Sequence, residues 1–283
     1  MRRPLIACAA AIVAVCLTAC GSGSSTHGSA GSSTYKNYVA LGDSYTAAPY
    51  VHSLDTTSVC GRSPVNYPHL LAKDLGVEKL TDVSCGGATT ADITGSQKGL
   101  PPQLDAVTAD TDLVTIGIGG NDYRVSGVML FVCPVMRVQN PAGDPCRSRW
   151  SNLIDHSMPK VQHNVVSVLR KVRDRAPHAR IIVVDYPQLI AASGGCTAVP
   201  IADGDVAFVR GVVDKLDDAV LAAARKAKVD SLDLRKASQG HDVCSKDPWI
   251  NGMRNLPGTA AAMHPMANEQ RAVAELLAKK LEG

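Results

Sequence analysis

Nowhere after residue 19 does the sequence hold a long uncharged apolar run, which excludes a bundle of membrane-spanning helices. There is also little excess charge. Lys and Arg number 29 against 26 Asp and Glu, a net of +3 spread along the chain, too weak for a nucleic-acid groove. The cysteines show neither CxxC spacing nor histidine partners, so no zinc site is expected. GK[ST] is absent, and the GxGxxG that Gly117 and Gly119 begin has Asp122 where a glycine is required, which argues against ATP and dinucleotide loops. The GxSxG elbow of α/β-hydrolases is missing too. No cofactor, metal or nucleic-acid partner is expected, and no internal repeat is found. With 45% hydrophobic residues in 283, the chain is ample for one sizeable core, and a monomer is the default.

The N-terminus has the anatomy of an export signal: Arg2 and Arg3, then an apolar stretch from Leu5, then small residues up to Cys20. Leu17-Thr18-Ala19-Cys20 resembles a bacterial lipobox, in which the cysteine is acylated and becomes the mature N-terminus; the rival reading is an ordinary secretory signal. Residues 1–19 are thus expected to be removed, and 20–34, rich in Ser and Gly, to form a lipidated tether to the extracytoplasmic face of a bacterial membrane. Losing Arg2 and Arg3 leaves 27 basic against 26 acidic residues, so acyl chains rather than overall charge would supply the anchor. Setting aside Cys8, Cys16 and Cys20 leaves Cys60, Cys85, Cys133, Cys146, Cys196 and Cys244, an even set suited to three disulfides in an oxidising compartment. Counting alone leaves about 15 pairings open.

From Tyr35 onward, short β-branched runs alternate with amphipathic stretches, the pattern of an α/β domain on a parallel sheet, taken here as residues 35–283. Strands are expected at 38–41, 79–84, 113–118, 181–184 and 229–234, and helices at 65–75, 153–175, 206–228 and 265–281. Residues 123–150 fit neither pattern and read as a disulfide-clipped insertion at the edge of a site. In open α/β sheets ligands bind at the carboxyl ends of strands. Gly42-Asp43-Ser44, Cys85-Gly86-Gly87 and Gly119-Gly120-Asn121-Asp122 all fall there, and His264-Pro265 precedes the last helix. A hydroxyl, Gly-rich turns with free N–H groups, an amide and an imidazole are what acyl transfer needs. The plainer readings are a turn serine, a loop-bridging asparagine and a capping histidine. Asp43 and Asp122 read as loop-holding groups, and Trp249 as lining a site or packing in the core.

The blocks YVALGDSYTA, SCGGATT, IGGND and MHP, in this order, resemble those of the SGNH hydrolases, also called GDSL esterases and lipases. Within that family the chain is most similar to secreted, disulfide-containing actinobacterial esterases and lipases. The resemblance implies a flavodoxin-like three-layer α/β sandwich with a mainly parallel sheet. It implies Ser44 as nucleophile and His264 as base, with an oxyanion hole from the N–H of Ser44, the N–H of Gly87 (Gly86 being the alternative) and the amide of Asn121. It also implies the nearest-neighbour disulfide order, 60 with 85, 133 with 146 and 196 with 244. One departure stands out: many members carry Asp three residues before the histidine, where this chain has Ala261. The expected arrangement is therefore a dyad oriented by the Ala261 carbonyl, with His264 at a helix N-cap; Asp233 and Asp247 are the acids to test against it. The implied function is a lipoprotein esterase or lipase forming an acyl-enzyme. Its rivals are a carbohydrate O-acetyl esterase and a non-catalytic binding lipoprotein.

Overall fold

The structure, a computed structural model, describes residues 35–52, 59–191 and 195–282. The expected signal, Cys20 and the tether lie outside the described residues. Five strands form one sheet: β1 (Asn37–Gly42), β2 (Lys79–Asp82), β3 (Leu113–Gly117), β4 (Arg180–Val184) and β5 (Asp230–Leu232). Their order is β2-β1-β3-β4-β5 and every pairing is parallel, the flavodoxin-like order, with Gly42 of β1 opposite Gly117 of β3 at the carboxyl edge.

Because side chains alternate across a strand, β1 sends Tyr38 and Ala40 to one face and Val39 and Leu41 to the other, and all four are buried. Tyr38, Ala40, Leu113 and Ile182 pack against helices Tyr67–Leu75 and Ala267–Glu282, through Leu71, Val273 and Leu277. Val39, Leu41, Val114 and Ile181 pack against Pro145–Arg175 and Val206–Ala227, through Val161, Leu169, Val209 and Val220. The result is three layers. Among the described residues no helix is long and apolar enough to cross a membrane.

The disulfides join Cys60 to Cys85, Cys133 to Cys146 and Cys196 to Cys244, the nearest-neighbour order. The helix expected at 65–75 begins at Tyr67, with Asn66 at its N-cap, and two other helix starts differ in ways that bear on the site. The long helix begins at Pro145 rather than Leu153, since proline suits the first turn and Asp205 accepts from the N–H of Cys146 and Arg147. The last helix begins at Ala267 rather than Pro265. A short antiparallel bridge, with Asn251 N–H donating to His264 O and Met266 N–H to Trp249 O, holds residues 264–266 extended. His264 is therefore not at the N-cap.

Candidate active site

Ser44 opens a one-turn helix, Ser44–Ala47, directly after β1. Asp43 caps it, its Oδ1 accepting from Tyr45 N–H at 2.9 Å. The turn is tight enough to require glycine at 42: φ is +151°, and a Cβ there would sit 2.3 Å from Thr46 Oγ1. His264 comes to the same place from 220 residues further along, its Nε2 2.8 Å from Ser44 Oγ. The other ring nitrogen, Nδ1, lies 2.7 Å from Ala262 O. A carbonyl can only accept, so Nδ1 carries the hydrogen and Nε2 presents its lone pair to the serine hydroxyl.

The orienting carbonyl is thus Ala262, not Ala261 as expected. The Ala261 carbonyl is already taken by Asn251 Nδ2 at 2.9 Å and by His264 N–H at 3.2 Å. Between Ala262 and the histidine, Met263 adopts a left-handed φ of +57°, which folds the chain back under the ring. Tyr45 Oη donates to Met263 O and Gly252 O accepts from Met263 N–H, holding that conformation. Neither candidate acid bonds to the ring: Asp247 lies beside His241, and Asp233 directly precedes the one-turn helix Leu234–Ala237. The imidazole titrates below its ordinary range, because burial disfavours its cation and outweighs the opposing effect of the Ala262 carbonyl. Burial, rather than the dipole of a helix N-terminus, favours the neutral ring.

Asn121 follows β3. Its Nδ2 donates to Ala88 O at 2.9 Å and its Oδ1 accepts from Ser126 Oγ at 2.9 Å, which fixes the amide and leaves its second N–H without a partner among the described residues. Ser44, Asn121 and His264 line one pocket, walled by Met129, Leu130, Leu189, Val213 and Leu216. Gly87 is not in it. It lines an adjoining groove that shares Asn121 and Ser126 with the pocket. Gly86 N–H donates to Cys60 O at 2.9 Å, whereas Gly87 N–H has no partner among the described residues.

The loop-holding readings of the two acids fit their contacts. Asp122 takes Thr90 N–H, Thr90 Oγ1 and Asn164 Nδ2, tying the second and third motifs to the long helix. Asp43 Oδ2 accepts from Tyr186 Oη at 2.6 Å, and burial raises the carboxyl to about 6. Tyr186 Oη in turn accepts from Gly120 N–H at 2.8 Å, so this one hydroxyl ties the Ser44 turn to the Asn121 turn. Sequence reading missed Tyr186, although it stands at the carboxyl end of β4, where the other motifs were sought. Trp249 is buried in the core, stacked on His241. Among the described residues no three metal-ligating side chains cluster.

Residues 40–271 match the GDSL-like Lipase/Acylhydrolase family. The chain belongs to that family. It is similar to Lipase 2 of Streptomyces coelicolor, 37% identical with 84% of this chain and 83% of that one covered. It is also similar to a lipase of Streptomyces rimosus, 30% identical with 83% of this chain and 82% of that one covered. Among solved structures it resembles phospholipase A1 from Streptomyces albidoflavus, with a TM-score of 0.75, 29% identity, and 87% and 99% coverage. The protein is thus a carboxylic ester hydrolase of the GDSL type.

Proposed function

We propose that this GDSL hydrolase cleaves carboxylic esters of apolar acids through an acyl-enzyme on Ser44, while held by an acylated Cys20 on the outer face of a bacterial membrane. The observation that carries the reading is the Ser44–His264 hydrogen bond of 2.8 Å, with the ring tautomer set by Ala262. Ser44 Oγ attacks the ester carbonyl carbon as its proton passes to His264 Nε2. The oxyanion is met by the N–H of Ser44, the N–H of Gly87 and the second N–H of Asn121. Collapse breaks the bond to the alcohol oxygen, which leaves with the proton from Nε2. Water then gives a proton to Nε2, attacks the acyl carbonyl, and frees the acid and Ser44.

The apolar walls of the pocket favour a fatty acyl group over an acetyl group. A relative that is a phospholipase A1 supports the same substrate class. For the anchor, support comes from the Leu17–Cys20 motif and the Ser- and Gly-rich stretch behind it. A serine-reactive fluorophosphonate applied to fractionated cells tests both halves. The expected result is a labelled band in the membrane fraction, lost in Ser44→Ala and moved out of that fraction in Cys20→Ala. Labelling that persists in Ser44→Ala would overturn the nucleophile, and membrane retention of Cys20→Ala at the wild-type level would overturn the anchor.

A further inference from the structure

Eight large apolar side chains are exposed among the described residues, and five of them, Tyr123, Phe131, Val135, Val138 and Leu153, fall between 123 and 153. Exposed apolar residues scattered singly need no explanation; a concentration of them does. Phe131, Val135 and Val138 succeed one another at helical spacing, 52%, 69% and 82% exposed, on a segment clipped by the Cys133–Cys146 disulfide. Its other face is buried, and there Met129 and Leu130 wall the pocket that holds Ser44. Phe131 belongs to both, lining the pocket and half exposed. The stripe is therefore continuous with the mouth of the site.

The charge around it is one-sided. Residues 123–150 contain Arg124, Arg137, Arg147 and Arg149 against Asp144 alone. Asp144 pairs with Arg147. Arg149 lies over the Trp150 ring, and Arg124 and Arg137 have no ion pair among the described residues. Two further acids come against the segment from residues 203–205: Asp203, whose N–H donates to Pro141 O, and the buried Asp205, which accepts from the N–H of Cys146 and Arg147. Four arginines thus stand against three acids around the stripe, one of the acids buried and one paired, which leaves its exposed charge positive. We propose that this stripe docks the enzyme onto an anionic lipid surface, the apolar side chains entering the interface while the arginines meet the headgroups. A second copy fits less well, because a two-fold contact would set the same arginines against one another. Docking in this way turns the pocket mouth toward the lipid. That consequence rests on the ester-hydrolase reading of the pocket; the docking itself does not.

Flotation with vesicles tests the proposal. The mature chain, exported behind an ordinary secretory signal with Cys20→Ser so that no acyl group contributes, is mixed with vesicles of phosphatidylcholine alone or with phosphatidylglycerol. The wild-type surface should bind the mixed vesicles more tightly than the neutral ones. Val135→Asp/Val138→Asp should weaken binding by at least about tenfold, with turnover of a water-soluble nitrophenyl ester unchanged. Arg137→Gln/Arg149→Gln should lose the preference for phosphatidylglycerol. Flotation of Val135→Asp/Val138→Asp at the wild-type level, or no flotation of the wild-type surface with either vesicle, would overturn the proposal. So would sedimentation showing a dimer that this double variant abolishes while vesicles go unbound. Flotation without turnover of the soluble ester would instead leave docking standing and remove the catalytic reading.

Discussion

Tyr186 shows how a residue that need not touch substrate can still govern a reaction. Its hydroxyl donates to Asp43 beside Ser44, the proposed nucleophile, and accepts from Gly120 beside Asn121. Tyr186→Phe preserves the ring's packing and leaves a buried carboxylate oxygen and a buried N–H short of a partner. Turnover should fall by about tenfold, because the two turns lose their common register. KM for a small soluble ester should change far less, which steady-state kinetics would show. The imidazole leads to a second expectation. Burial holds His264 below its ordinary range near 6.5, so the ring stays neutral to lower pH, as the proposed base must be. The pH profile of kcat/KM should then show one ascending limb, with its midpoint below 6.5. Asp233→Asn and Asp247→Asn should leave that limb in place, whereas a limb lost in either would mean that an acid orients the ring after all.

Among the elements, the segment clipped by Cys133 and Cys146 ties stability to substrate range. Removing the clip with Cys133→Ala/Cys146→Ala should cost about 3 kcal/mol in the chain-entropy account, measurable by calorimetry. Because Met129 and Leu130 stand on this segment, KM should rise more for long-chain than for short-chain nitrophenyl esters. The same segment marks where the sequence stops being readable. The strands were legible, Leu113–Gly117 and Arg180–Val184 almost to the residue, because each is an apolar run bounded by polar turns. The helical insertion was not, since its exposed Phe131, Val135 and Val138 break the amphipathic period that reveals a helix. Ser44, Asn121 and His264 were found as motif residues and do line one pocket. The Ala262 carbonyl was beyond reach, because which carbonyl meets the ring depends on the backbone turn at Met263, and side-chain identity carries no trace of it.

The whole molecule carries its own response to pH. Burial raises Glu269 to about 8, and Gln270, the neighbour that offsets this, is neutral. Asp185, also at about 8, is raised by burial and by the nearby charge of Asp233, and Asp217 by burial and by Asp185; each keeps one oxygen without a partner among the described residues. Groups raised in this way hold protons when folded that the unfolded chain has released. Their contribution is complete below the ordinary carboxyl range near 4.5 and is lost as pH rises through about 8. Melting temperature should therefore decline from pH 5 to pH 8.5. Glu269→Gln should flatten part of that decline and raise the melting temperature at the alkaline end by several degrees, with little change at pH 5. An unaltered slope in differential scanning fluorimetry would remove Glu269 as a contributor.

On the proposed roles of Ser44 and His264, their separation by 220 positions also governs when the enzyme becomes active. Chains are made from the N-terminus, and contacts so distant in sequence form late. A chain extended through β4 has its serine, its amide and most of its sheet, and has no base. On the proposed mechanism, hydrolysis begins only after the final stretch past Asn251 has been synthesised and has folded back beside Tyr45. The onset of turnover is therefore a clock for completed folding, and a chain truncated before His264 should be inert however well its first three motifs are formed.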